Sequence, residues 1–134
     1  IPFAEANVMR DGGDVTIVAY GMMVGKAMDA AEILAKEGVE CDVIDLRTLS
    51  PIDMETVLES VENTGRLVVV DEANPRCSIA TDVSAQVAQQ AFKSLKAQIE
   101  MVTAPHTPVP FASTLEDIYI PSNDSVAIAV RKTL

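Results

Sequence analysis

The sequence has no tryptophan, a single histidine and two cysteines, and only 4% of its residues are aromatic. With so little aromatic mass, the core has to be built from Ala, Val, Ile, Leu and Met. Cys41 and Cys77 are too few for the disulfide framework of a small secreted domain, so reduced thiols and a cytoplasmic location are expected. One histidine excludes the usual multi-histidine zinc sites. No apolar run approaches the length that spans a bilayer, and neither a signal peptide nor a membrane anchor is expected. Positive charge is also scarce. Ten Lys and Arg face twenty Asp and Glu, a net charge of −10. Such a surface repels nucleic acid and anionic membrane. It suits solubility or a basic partner.

What the sequence does contain is a full set of core formers, 49% hydrophobic over 134 residues, enough for one domain without staples. The opening "IPFAEANVMRDGG" is loop-like and lacks an initiator Met, so residues 1–13 are expected to be a linker from an upstream domain. Residues 14–134 then form the domain itself. "VTIVAY" (15–20) reads as a buried strand, and "VECDVIDL" (39–46) as a second. Between them Val24, Ala27, Met28, Ala31, Leu34 and Ala35 recur at helical spacing up to Gly38. Ser50, Pro51 and Asp53 predict a helix start, with Ser50 as cap and Pro51 in the first position. Met54, Val57, Leu58 and Val61 give that helix its buried stripe.

"RLVVVDEA" is the most apolar strand and is expected to be central. From Ser78 to Leu95, the residues Ile79, Val83, Val87, Ala91, Phe92 and Leu95 trace one helix face. "AQIEMVTA" predicts a fourth strand, and "NDSVAIAVRKTL" a last helix. Either the N-terminal segment or "PFASTLEDIYIP" is left to supply a further edge element. Strands alternating with helices predict a mainly parallel α/β sheet with helices on both faces.

Few residues offer chemistry. Gly21, Gly25 and Asp45 imitate a dinucleotide fingerprint, but "GMMVG" lacks the G-x-G-x-x-G spacing that lets backbone approach a pyrophosphate. A tight turn is expected there, which weakens the alternative of a free-standing nucleotide-binding module. A receiver domain would need an acidic pair after the first strand, where Tyr20-Gly21 stands. Asp71 and Glu72 close the central strand without an acidic or histidine companion. They are expected to form a hydrogen-bonded strand end that orders the following loop. Cys77 lies beside Arg76 near a helix start but has no neighbouring base, so a structural thiol is expected. His106 sits in "TAPHTPVPF" among Pro105, Pro108 and Pro110, with no G-x-S-x-G elbow anywhere. A stiff connector that presents side chains for a subunit contact is expected there.

"DVTIVAYG", "VIDLRTLSPID", "RLVVVDEA" and "TAPHTPVPFASTLEDIYIP" together resemble the C-terminal, transketolase-like domain of the β subunit of thiamine-diphosphate-dependent E1 components, the 2-oxoacid dehydrogenase family. The likeness runs through nearly the whole chain, in order. "VDEANPRCSIATDVSA" resembles the acetoin dehydrogenase branch. Pyruvate and branched-chain 2-oxoacid dehydrogenases are the alternatives. Departures from many relatives are Arg76–Ala80 in place of a glycine-rich stretch, His106 in place of Asp, and Met22 and Gly25 in place of Arg and His.

The resemblance implies a three-layer α/β/α sandwich on a five-stranded mixed sheet. It implies that thiamine diphosphate and Mg2+ belong to the full enzyme and that this domain binds no cofactor or metal and carries no catalytic residue. Implied partners are the E1 α subunit, a second β subunit and the subunit-binding domain of the E2 acyltransferase. The residues expected at such interfaces are Arg76, Glu100, Pro108, Phe111, Glu116, Asp117, Tyr119 and the terminal Leu134.

Overall fold

A computed structural model describes residues 1–134. Its elements follow in the order β1 Asn7–Arg10, β2 Val15–Ala19, α1 Met23–Ala35, β3 Cys41–Asp45, α2 Met54–Thr64, β4 Leu67–Val70, α3 Ile79–Ala91, β5 Glu100–Val102, α4 Ser113–Tyr119 and α5 Asn123–Thr133. The sheet order is β1-β3-β2-β4-β5. The β2–β3, β2–β4 and β4–β5 pairs are parallel, whereas β1 runs antiparallel to β3. This is the five-stranded mixed sheet that the resemblance implied, with one strand more than the four read from periodicity.

The fifth strand is the N-terminal segment, so Asn7–Arg10, expected within a linker, is an edge of the sheet. It escapes the hydrophobic pattern because an edge strand buries little: Val8 and Met9 are both exposed. A register shift between Val8 and Arg10 bends it further from regular alternation. "PFASTLEDIYIP" supplies α4 instead of a strand.

Alternation along β2 divides the core in two. Val15, Ile17 and Ala19 meet α1 and α5 on one face, together with Cys41, Val43, Val68 and Val70. Val18 meets α2 and α3 on the other, with Ile44, Leu67 and Val69. Full burial of a residue such as Ile17 is worth about 2 kcal/mol. Ala27, Ala30 and Ala31 let α1 lie close on the sheet where aromatic side chains would hold it away. Thr16 is buried on the α2 face, and its hydroxyl reaches Ser60 and Thr64 at 2.7 Å each. Ser60 also donates to Asp42.

Three local expectations need correction. The cap of α2 is Asp53, which accepts from Thr56 N at 3.1 Å. Ser50 and Pro51 lie in a preceding turn closed by a bridge between Leu49 and Ile52. The helix face traced through Phe92 and Leu95 stops at Ala91, because a 3-10 turn over Phe92–Ser94 rotates Phe92 out to solvent. Strand β3 is shorter than predicted at both ends.

Two glycines are required by geometry. Gly65 ends α2 at φ 72° and donates its amide to Val61 O at 2.7 Å. Gly12 passes so close to β3 that a Cβ there would sit 2.5 Å from the Cys41 carbonyl carbon.

Candidate functional site

Strand order and chain order together locate the crevice of this sheet. The chain goes from β2 to β3 on one side, then crosses back to β4 on the other. The switch point therefore lies beyond the carboxyl ends of β2 and β4, where open α/β sheets take ligands. Tyr20 follows β2 there, and Asp71 and Glu72 follow β4.

Asp71 is fully buried and every partner it has is a neutral donor. Tyr20 OH donates to its Oδ1 at 2.7 Å, Ala73 N donates to the same oxygen at 2.9 Å, and Ala80 N donates to Oδ2 at 3.1 Å. This carboxylate thus stitches β2, the loop after β4 and the first turn of α3 together. The expected hydrogen-bonded strand end is what the structure shows. Burial, then the hydrogen bond to Asp71, then the charges of Asp71 and Glu72 push the Tyr20 phenol well above the usual tyrosine range. Tyr20 is the residue at this crevice that periodicity missed. The only signal was an amphipathic side chain in the last place before Gly21.

Glu72 points away from the core. With Tyr20, Ala73, Val109, Glu116, Tyr119 and Ile120 it lines a cleft of about 420 Å³. A separate groove of about 550 Å³ runs beside β5 and brings Glu100, Asp117 and Tyr119 together with Lys132. Pro108 and Tyr119 share a third, shallower recess with Leu115 and Ile118. Phe111 is fully exposed and Ile118 is 81% exposed. Helix α4 buries none of its residues.

The expected interface residues do not all fall on one surface. Leu134 follows Thr133, whose carbonyl accepts from Arg66 Nε at 2.7 Å, next to the amino end of β4. Glu116 and Tyr119 lie at the opposite, carboxyl end of the sheet. Arg76 is exposed in the loop before α3.

The other candidate residues sit apart from one another. Asp45 accepts from Arg47 N at 3.1 Å and pairs with its guanidinium at 3.7 Å, so its carboxylate serves its own loop. Gly25 is exposed within α1. Cys77 is exposed at φ 50°, one residue before Ser78 caps α3. Cys41 is buried, and that burial pushes its thiol up to about 11, against a partly opposing Arg10 and with Asp14 and Glu40 adding. His106 is exposed in a recess with Asn74, Thr107 and Pro108, and hydrogen-bonds neither a nucleophile nor an orienting acid.

A diphosphate does not fit the residues at these strand ends. They present Asp45, Asp71 and Glu72, with Glu116 of α4 beside them, and these carboxylates repel it. No three His, Cys, Asp or Glu side chains gather to hold a metal ion. No helix is long and apolar enough to cross a membrane.

Sheet order and layer composition define an α/β/α sandwich domain with an open, acidic carboxyl edge. Its family is that of the transketolase C-terminal domain, to which the chain belongs through a match over residues 4–126. It is 72% identical along its whole length to the beta subunit of acetoin:2,6-dichlorophenolindophenol oxidoreductase of Cupriavidus necator, covering 40% of that protein. The Bacillus subtilis protein of the same name is 50% identical over 94% of the chain and 37% of its own length. The pyruvate dehydrogenase E1 component subunit beta of Rickettsia felis is 42% identical over 98% of the chain and 40% of its own length. The chain thus spans about two fifths of the length of the curated relatives it matches. Among solved structures, a split-gene transketolase in an inactive beta4 tetramer is 30% identical, with a TM-score of 0.82. It is covered over 42% of its length by the whole of this chain. The resemblance read from the motifs is therefore to the right family.

Proposed function

We propose that this chain is the assembly domain of the E1 β subunit of a thiamine-diphosphate-dependent acetoin dehydrogenase complex, without a catalytic residue of its own. The observation that carries the reading is the 72% identity to the acetoin:2,6-dichlorophenolindophenol oxidoreductase beta subunit over every residue of the chain, against 42% for the pyruvate dehydrogenase relative. In the whole enzyme thiamine diphosphate, with Mg2+, supplies the electron sink for carbon–carbon cleavage. The residues of this domain do not fit that cofactor, so no chemical step is assigned to them. Their work is to fix the β subunit against the E1 α subunit and a second β subunit in the cytoplasm. The exposed arm at Pro108 and Phe111 and the unburied α4 with Glu116, Asp117 and Tyr119 support a contact role. Glu100, Glu116, Asp117 and the carboxylate of Leu134 are the candidates for a second contact, with the basic subunit-binding domain of E2; of these Glu100 and Asp117 share the groove beside β5, and Leu134 lies near the amino end of β4. Complementary charge there speeds encounter more than it tightens the complex.

The test is dye reduction by the full-length parent chain reconstituted with its α partner and thiamine diphosphate. Acetoin and pyruvate are supplied in parallel. Turnover of acetoin with little of pyruvate supports the reading. Preference for pyruvate, or for a branched-chain 2-oxoacid, moves the protein to that branch. Turnover by this chain alone overturns the assembly role.

A further inference from the structure

We propose that the cleft between Tyr20 and Tyr119 is a receptor for one cationic side chain, arginine or lysine, presented by a partner polypeptide. Its position is the first reason. It opens at the switch point between β2 and β4, the place where this sheet architecture forms a crevice. Its size, about 420 Å³, is within the range of small-ligand sites and large for a void left by packing.

Charge is the second reason, independent of the first. Glu72 and Glu116 line the cleft and no Lys or Arg does. The ion pairs of the molecule are Arg10–Glu40, Arg47–Asp45 and Arg131–Glu37, so neither glutamate has a cationic partner. Beneath them Asp71 adds a third carboxylate that is bonded only to neutral donors. Two carboxylates lining one concavity, a third buried behind Tyr20 and no cation among the lining residues focus an attractive potential on its mouth.

The walls give the third reason. Tyr20 and Tyr119 line the cleft, and the face of an aromatic ring attracts a cation. Tyr20 is held by its 2.7 Å bond to Asp71, and Tyr119 OH lies 3.5 Å from the Thr107 carbonyl. A guest thus meets one ring, Tyr20, held in place by a short hydrogen bond. The apolar Val109 and Ile120 suit the methylene stem of a long basic side chain. Two exposed glutamates without a third ligand do not make a metal site. The inference does not depend on the E1 assignment, since it uses only this chain's own residues.

The test is a two-dimensional NMR titration of the 15N-labelled chain with Nα-acetyl-arginine methylamide. The citrulline analogue, equal in shape and uncharged, is the control. Saturable shifts are expected at Tyr20, Glu72, Ala73 and Glu116 to Ile120 with arginine and not with citrulline, weakening as salt is added. Glu72→Gln with Glu116→Gln should weaken binding about ten-fold, the loss that follows from about 1.4 kcal/mol. Glu55→Gln with Glu59→Gln, on α2, should leave it unchanged. Equal shifts with citrulline overturn the proposal. So do shifts spread over the other acidic faces, or no saturable change up to about 50 mM, a limit weaker than millimolar affinity.

Discussion

Tyr20 donates its phenol proton to the buried carboxylate of Asp71 across 2.7 Å, joining the ends of two neighbouring parallel strands that are 51 residues apart in sequence. The bond fixes the floor of the carboxyl-end crevice. Tyr20→Phe is expected to lower stability by about 1–2 kcal/mol, the worth of a hydrogen bond to a charged group at a half-buried site. Asp71→Ala removes the acceptor from the Ala73 and Ala80 amides as well, and is expected to cost roughly 2–4 kcal/mol. Urea unfolding of both variants checks the order. Tyr20 titrates above the usual tyrosine value of 10.0 in the folded state. Its contribution is therefore complete below that value and is lost as pH rises beyond it. Stability of the parent should fall more steeply above pH 10 than that of Tyr20→Phe.

Asp53 ties the N-terminal segment to α2. It accepts from Thr56 N at 3.1 Å, from Thr56 Oγ1 at 2.7 Å and from Ala6 N at 3.0 Å. Burial alone would raise this carboxyl. The bonds from Ala6 and Thr56 outweigh it and hold the group below the ordinary aspartate value of 3.8. A depressed carboxyl stabilises the fold above the unfolded value and loses that contribution as pH falls through the folded one. Asp53→Ala should cost about 1–2 kcal/mol at pH 7, as loss of a helix cap does. The difference from the parent should shrink below pH 4 in denaturant titrations.

The two thiols should behave oppositely. Cys77 is exposed and Cys41 is buried, with its thiol pushed up to about 11. At pH 8 a disulfide reagent should modify one thiol of the native chain and both in guanidinium. Peptide mapping should place the native label on Cys77. Rapid labelling of Cys41 in the folded protein would mean that the start of β3 opens.

Phe111 and Ile118 stand in water and support no core. Phe111→Ser and Ile118→Ser should change stability by no more than about 0.5 kcal/mol, as surface substitutions do. In the full-length subunit mixed with its α partner, the same changes should weaken assembly, read by sedimentation. Unchanged assembly would remove the proline-rich arm from the interface.

The parts of the fold that follow local period were legible in the sequence. β2, β4 and the buried faces of α1 and α3 rest on short-range apolar spacing, which composition reports faithfully. Features set by tertiary contact were not. β1 is a strand because β3 offers it an edge, and its own residues carry little pattern. Ser50 and Pro51 look like a helix start, but the Leu49–Ile52 bridge closes a turn first and passes the cap to Asp53. Phe92 fits the α3 stripe until the 3-10 turn rotates it outward. At the crevice, Asp71 could be read as an anchoring strand end. Tyr20, its partner from another strand, could not, since nothing in sequence joins positions 51 apart. The split of Leu134 from Glu116 and Tyr119 likewise depends on which end of the sheet each loop leaves.

The last helix has a consequence for how the molecule is made. Val126, Ala127, Ala129 and Val130 of α5 belong to the same core as Val15 and Ile17, laid down more than a hundred residues earlier. Arg131 reaches Glu37 at the end of α1 with two hydrogen bonds, at 2.6 and 3.2 Å. On that side of the sheet α1 is in place early, but the part that α5 covers stays open on the ribosome until residues 123–133 emerge. During translation the nascent chain carries a half-covered apolar face, the kind of surface that aggregates, and this core closes only when α5 arrives.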